Sequence, residues 1–331
     1  MASSSHHFVL PRPGGVYDKS AAPIPAPSEA AFTSVFGTLL PPVKYLDTSN
    51  GKAAYYDLPP VSPHQATTPE RVLLIHGVQT PAIGMLPLAR ALRVTYPHAH
   101  FVLVDLWGHG LTDTPIAPHD KPLFHHLIDG LLDHLGWATA HLIGYSFGGA
   151  LTTGYVATRK DRVQSFVLIA PAGLMRASNL TAQERDYLRE GGGGDEIAAA
   201  KFIQGFLEGG DRVVPAGWEE RVARGEIVAE AVREWESREH PGHNASVVGI
   251  FRDAGVLDND ADFVDALKTG VPSVAVLGES DDVCSEKDLH QVGFTNVHVA
   301  PQVGHGVVRE RATDVAAIIS AFWKKLEGAS A

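Results

Sequence analysis

Ser146 stands in the stretch Gly144-Tyr145-Ser146-Phe147-Gly148-Gly149. The apolar run His141-Leu142-Ile143 precedes it, and Ala150 to Ala157 behind it read as a helix. A strand, a sharp turn carrying a serine and then a helix present the hydroxyl as a nucleophile. Glycines on both sides suit a strained serine backbone that neighbouring chains pass closely. The letters alone are a weak signal, because a glycine-rich turn with a capping serine shares them. A serine hydroxyl also needs a base, and the base needs an acid to orient it. Gly278-Glu279-Ser280-Asp281-Asp282 follows the apolar run Ser273 to Leu277, and Val303-Gly304-His305-Gly306 follows Val297-His298-Val299. An acid and a histidine thus each fall in a loop after a strand, in the order Ser, Asp, His. The spacing predicts Ser146 as nucleophile, His305 as base and Asp281 as orienting acid, with Asp282 or Glu279 as the alternative acid.

Charge develops on the carbonyl oxygen when such a serine attacks, so two N–H donors are needed opposite it. Phe147, next to the serine at the start of a helix, supplies one. Leu74-Ile75-His76-Gly77-Val78-Gln79 ends another apolar run in a turn, and its Val78 N–H is the candidate for the second. His76 reads as a brace for that turn. His125, His126 and His134 have no carboxylate or cysteine cluster beside them and share a helix with Leu127, Leu131 and Leu135, so they read as packing rather than metal ligands. Cys284, the one cysteine, reads as a buried packing residue.

These loops need a scaffold. Short apolar runs (71–75, 101–104, 141–144, 163–170, 273–277 and 297–299) alternate with helical stretches near 85–96, 123–135, 147–158, 285–291 and 312–326, with Gly328 as the expected stop of the last. Continuous apolar runs separated by helices predict an α/β fold, a doubly wound, mostly parallel sheet covered on both faces. A hairpin is expected where 43–47 and 52–56 flank Thr48-Ser49-Asn50-Gly51. The alternation breaks between 174 and 268. There Phe202, Phe206, Leu207, Trp218, Val222, Trp235 and other apolar residues recur at helical spacing, and Gly191 to Gly194 read as a hinge or loop. The expected organisation is a Pro-rich, loosely held arm over 1–30, a core over 31–173 and 269–331, and a helical cap over 174–268. The chain has 331 residues, a formal net charge of -11 and no lysine- or arginine-rich run, which disfavours nucleic acid and anionic membrane surfaces. No apolar run approaches the ~20 residues of a membrane span. No secretory signal is apparent at the start, and a cytoplasmic setting is expected.

With these residues in place, the sequence resembles the α/β-hydrolase fold superfamily. The resemblance is carried by His76-Gly77, Asp105-Leu106-Trp107-Gly108-His109-Gly110, Gly144 to Gly149, Gly278 to Asp281 and Gly304-His305, in the family's order from about 43 to 326. It implies a capped serine hydrolase of small molecules (esterase, lactonase or C–C hydrolase-like) with no cofactor. It disfavours the dehalogenase and epoxide hydrolase chemistries that use an Asp nucleophile. Trp107 stands where members often carry Pro, which makes it a candidate wall of the pocket, with Tyr145 beneath the cap. Arg176 is the candidate polar anchor for a C–C hydrolase substrate. A ligand receptor built on the same pocket is the non-enzymatic alternative, and the oligomeric state is left open.

Overall fold

The computed structural model describes residues 8–62, 69–189 and 196–330, with side chains through 328. Gly191 to Gly194 lie outside the described residues. In chain order the elements are α1 (Glu29–Phe36), β1 (Lys44–Thr48), β2 (Gly51–Leu58), β3 (Arg71–Ile75), α2 (Leu86–Thr95), β4 (His100–Val104), α3 (Lys121–His134), β5 (Ala140–Tyr145), α4 (Phe147–Arg159) and β6 (Val163–Ile169). Six helices follow: α5 (Ala182–Leu188), α6 (Glu196–Glu208), α7 (Trp218–Ala223), α8 (Ala229–Glu239), α9 (His243–Asp253) and α10 (Asp260–Lys268). The chain then returns as β7 (Ser273–Gly278), α11 (Glu286–Gln291), β8 (Val297–Ala300), α12 (Val307–Glu310) and α13 (Ala312–Ser330). The last helix runs through Gly328. Its buried stripe of Val315, Ile319, Phe322 and Trp323 outweighs one glycine near the end, whose cost is about 1 kcal/mol.

The strands form one sheet in the order β1-β2-β4-β3-β5-β6-β7-β8. The β1–β2 hairpin is antiparallel, β2 also meets β4 antiparallel, and every pair from β4 to β8 is parallel. Valine, leucine and isoleucine fill both faces of the inner strands because helices cover both. One apolar cluster packs Leu73, Val102, Leu142 and Leu168 under α3, α4 and α10. The other packs Leu74, Leu103, Ile143 and Val276 under α2 and α13. This leaves the C-terminal ends of β3, β5, β7 and β8 at one edge, and there the loops carrying Val78, Ser146, Asp281 and His305 meet.

Among the described residues of 174–268 no strand joins the sheet. The segment leaves and re-enters the body side by side: Gly173 N–H donates to Val256 O at 3.0 Å, Asp258 N–H to Met175 O at 2.9 Å and Asn259 N–H to Gly173 O at 2.8 Å. The last of its helices, α10, lies on α4, with Phe263 buried beside Phe294. It therefore covers the sheet and not the site.

The N-terminal segment is more ordered than its composition suggests. Over residues 8–28, Leu10 and Ile24 are buried, Ile24 pairs with Thr114, and Arg12 forms an ion pair with Asp253 at 2.8 Å. The helix α1 that follows is capped by the Ser28 hydroxyl and buries Phe32 and Phe36. These rings meet Trp235 at 5.2 and 6.1 Å between centroids, and Phe36 meets Trp218 at 6.2 Å. Two cap tryptophans thus pack on the N-terminal segment. Among the described residues no helix is long and apolar enough to cross a membrane.

Candidate active site

The turn from β5 into α4 places Ser146 at φ 53°, ψ -119°, a backbone conformation that costs a non-glycine residue about 1–3 kcal/mol. Backbone bonds on both sides hold it: Ser146 N–H donates to Ile169 O at 3.0 Å, and Ser146 O accepts from Gly149 and Ala172 N–H at 2.8 and 2.9 Å. The flanking glycines are there for close approach. A methyl on Gly148 would lie 2.2 Å from Ile75 O, and one on Gly77 would lie 2.6 Å from Ser146 Cβ.

The three side chains form a continuous relay. His305 Nε2 is 3.0 Å from Ser146 Oγ, and His305 Nδ1 is 3.1 Å from Asp281 Oδ1. The Asp281 side chain is fully buried and is fixed by Val283 N–H, which donates to the same oxygen at 2.9 Å. Asp282, the alternative acid, lines the neighbouring cavity instead, and Glu279 accepts from Gln302 N–H at 2.8 Å. Tyr145 hydroxyl donates to His305 O at 3.1 Å, and its ring lies 5.3 Å from the imidazole. Tyr145 thus braces the histidine loop and does not line the cavity.

That cavity, of about 180 Å³, opens onto Ser146 and His305. Val78 and Phe147 border it from the body, and Met175, Phe206, Leu207, Phe251 and Val256 from the cap segment. Phe147 is the first residue of α4, so its N–H has no acceptor within the helix. The opposite loop is tightly braced. His76 Nδ1–H donates to Gly77 O, and Leu106 N–H donates to His76 Nε2 at 2.9 Å. Burial pushes the His76 ring down to about 4, so it stays neutral in both roles. Asp105 accepts from Tyr56 hydroxyl and from Ala82 and Leu111 N–H at 2.8 to 3.0 Å, while burial pushes its carboxyl up to about 6.

Besides Tyr145, two further expected cavity residues lie elsewhere. Trp107 is buried in the apolar core between sheet and helices, and its carbonyl accepts from Ser246 hydroxyl at 2.9 Å. Its bulk stabilises the body without reaching the cavity wall. Arg176 is a surface residue at the cap junction, ion-paired with Asp260 and, at 3.8 Å, Asp258. Two carboxylates more than 80 positions later satisfy the guanidinium, so it is not a free anchor. On α3, His125 bonds Leu151 O at 3.1 Å and His134 bonds Tyr55 hydroxyl at 3.1 Å. Cys284 is buried, and its thiol is pushed up mainly by burial.

A polar latch between cap and glycine turn has no local sequence signature. Glu236 accepts from Gly110 N–H at 3.0 Å, His240 donates to Thr112 O at 2.9 Å, His243 to Gly108 O at 2.9 Å, and Ser246 to Trp107 O. All four side chains are buried. Burial, reinforced by the nearby Asp105, raises Glu236 well above the ordinary carboxyl range.

A family model described as the alpha/beta hydrolase fold matches residues 70–226. The enol-lactonase from Burkholderia xenovorans LB400 superposes with a TM-score of 0.62 at 19% identity, covering 85% of this chain and all of that one. The chain has the α/β-hydrolase fold, and its residues 70–226 are similar to that family. Curated relatives match only a segment. The dihydrolipoyllysine-residue acetyltransferase component of the acetoin cleaving system from Pseudomonas putida is 40% identical over 78 residues, 24% of this chain and 21% of that protein. The lipase LipV of Mycobacterium tuberculosis is 34% identical over 112 residues, 34% of this chain and 41% of that one. The matches therefore span less than half the length of these two relatives. Within the superfamily fold, the relay of Ser146, His305 and Asp281 sits at the C-terminal edge of the sheet, beneath the cap helices.

Proposed function

We propose that the protein is a serine hydrolase that cleaves a carboxylic ester, lactone or thioester of a medium-sized, mostly apolar small molecule through an acyl-enzyme. The observation that carries this reading is the relay itself, Ser146 Oγ to His305 Nε2 at 3.0 Å and His305 Nδ1 to Asp281 at 3.1 Å, opening onto a cavity with mostly apolar walls. As Ser146 Oγ attacks the substrate carbonyl, His305 takes its proton, and Asp281 orients and stabilises the resulting imidazolium. Val78 and Phe147 N–H hold the oxygen that becomes negative. The imidazolium then protonates the leaving alcohol or thiol, and a water activated by His305 releases the acid. A dry cavity of about 150 Å³ admits benzene, so about 180 Å³ suits an acyl group of moderate size. The lipase relative and the enol-lactonase neighbour are compatible with ester or lactone chemistry. The ion pairs of Arg176 remove the feature that favoured C–C cleavage.

The test is a side-by-side assay of p-nitrophenyl esters of graded length, simple lactones, a peptide, a triglyceride emulsion and a vinylogous diketone. Turnover should be greatest for short-to-medium esters or lactones and negligible for the peptide and emulsion. Turnover confined to the diketone would establish C–C cleavage instead. Tight binding of an ester without turnover would establish a receptor.

A further inference from the structure

Gln79, immediately after the oxyanion candidate Val78, has a left-handed backbone at φ 65° and a buried side chain. A non-glycine residue holds such a conformation only where its surroundings over-determine it. Two sets of bonds do so here. From the body, Gln79 N–H donates to His109 Nε2 at 3.1 Å, and His109 Nδ1–H donates in turn to Trp107 O at 3.0 Å. From the cap, in the amide orientation that satisfies both partners, the side chain donates to Glu208 Oε1 at 3.2 Å and accepts from Arg212 Nη2 at 3.3 Å.

The cap partners are themselves fixed. Arg212 Nε donates to Glu208 Oε1 at 2.8 Å, and Arg212 Nη1 donates to Arg233 O at 2.8 Å and Ser237 hydroxyl at 3.0 Å. Arg233 adds a second cation 3.4 Å from Glu208 Oε2. The Glu208 and Arg212 side chains are 6% and 10% exposed, so this cluster is a buried bracket and not a surface pair. Breaking such a pair by removing one partner is costly, which makes the bracket stiff.

Glu208 ends α6, and the two residues before it, Phe206 and Leu207, line the cavity over Ser146. A single helix end therefore walls the substrate space and grips the residue beside the oxyanion donor. We propose that Gln79 is a positioning residue for the oxyanion loop, and that Glu208 and Arg212 hold it, so that the cap supplies part of the geometry that stabilises the transition state. This rests on the serine-hydrolase reading. In catalytic terms the bracket acts on kcat more than on KM, because a displaced Val78 N–H weakens the bond to the developing oxyanion more than the bond to the ground-state carbonyl.

The decisive variant is Gln79→Gly. Glycine adopts φ 65° without strain, so the backbone course is kept while the bracket's handle is lost. With p-nitrophenyl butyrate, kcat should fall about 10- to 100-fold while KM stays within about threefold. Inhibition by an alkyl trifluoromethyl ketone, whose serine adduct carries an oxyanion, should weaken by the same factor. Inhibition by the matching methyl ketone should hardly change. Adding Glu208→Ala to Gln79→Gly should cost little further kcat, because both remove one coupling. An unchanged kcat would overturn the inference. So would a loss shared equally between kcat, KM and thermal stability, which marks a purely structural role. If the native protein neither turns over an ester nor takes a fluorophosphonate at Ser146, the serine-hydrolase reading falls and the inference with it. Native activity together with an unaffected Gln79→Gly variant overturns the inference alone.

Discussion

On one side the cap sets Glu236, His240, His243 and Ser246 against the backbone of residues 107–112. On the other it lays Phe206, Leu207, Phe251 and Val256 over Ser146. Both contacts bury cap against body, yet their chemistry is opposite. The latch is a set of directed hydrogen bonds, each leaving a buried group unsatisfied if broken, so it fixes where the cap sits. The cavity wall is apolar and non-directional, so its shape can change with modest loss while its position is guaranteed from the other side. The sites most sensitive to substitution should therefore be the relay and the latch, and the tolerant ones should be the wall.

Breaking the relay should have the largest effect. His305→Ala should lower kcat by about 10³- to 10⁴-fold with little change in KM, and Asp281→Asn by somewhat less. Asp282→Asn should stay within about threefold, because Asp281 and not Asp282 meets the imidazole. Steady-state kinetics on one ester checks all three, and a crippled Asp282→Asn beside a mild Asp281→Asn would reverse the assignment.

Acid should come next, acting on the latch through His240 and His243 and on the rest of the body through its other buried histidines. Burial holds His76, His119, His125, His141 and His240 down at about 4 and His243 at about 3, against an ordinary 6.5. These rings are neutral in the folded chain and take up protons more readily once unfolded. Their contribution is fully present above pH 6.5 and is lost as pH falls from 6.5 toward 4. Asp105, pushed up to about 6, works the other way: its contribution is present below its ordinary 3.8 and is lost as pH rises toward 6. Glu236, also raised, has the same sign. The histidines outnumber them, so the melting temperature should fall by on the order of 10 °C between pH 7 and pH 5. A flat melting profile over that range would contradict this balance.

Within the latch, Glu236→Ala should cost about 2–4 kcal/mol in denaturant unfolding, since it strands Gly110 N–H and leaves a void. Glu236→Gln should cost less than about 1 kcal/mol, because it keeps an acceptor at a position where burial already favours the uncharged acid. Equal costs for the two would show that the charge, and not the bond, is what the latch uses. The smallest effect should come from the wall. Leu207→Ala enlarges the cavity, and the preferred acyl chain should lengthen with only a few-fold change in kcat/KM. A length series of esters reads this directly.

How much of this was legible beforehand follows the same division. The strands, the hairpin and the loops carrying Ser146, Asp281 and His305 could be read because local apolar runs and turn residues specify them. The sequence favours Asp281 over Asp282 by its place in the loop, and letters alone carry the choice no further. It depends on which carboxyl turns inward, and in the structure Asp281 does so, meeting both Val283 N–H and His305 Nδ1. Arg176 and Trp107 differ from expectation for a related reason: residue type suggests a role, but partners distant in sequence decide it. Asp260 neutralises the arginine, and core packing takes the tryptophan. The latch was invisible because Glu236, His240 and His243 look like the polar face of any cap helix. α1 did leave a sign, with Ser28 as cap and Phe32 and Phe36 one turn apart, but the prolines just before it, at 23, 25 and 27, concealed it.

The central claim is that Ser146 is an activated nucleophile, and covalent labelling tests it most directly. The native protein should take up one fluorophosphonate, mapped by peptide mass spectrometry to Ser146. His305→Ala should label far more slowly, and Ser146→Ala not at all. Equal labelling of Ser146→Ala, or no labelling of a folded native protein, would contradict the account.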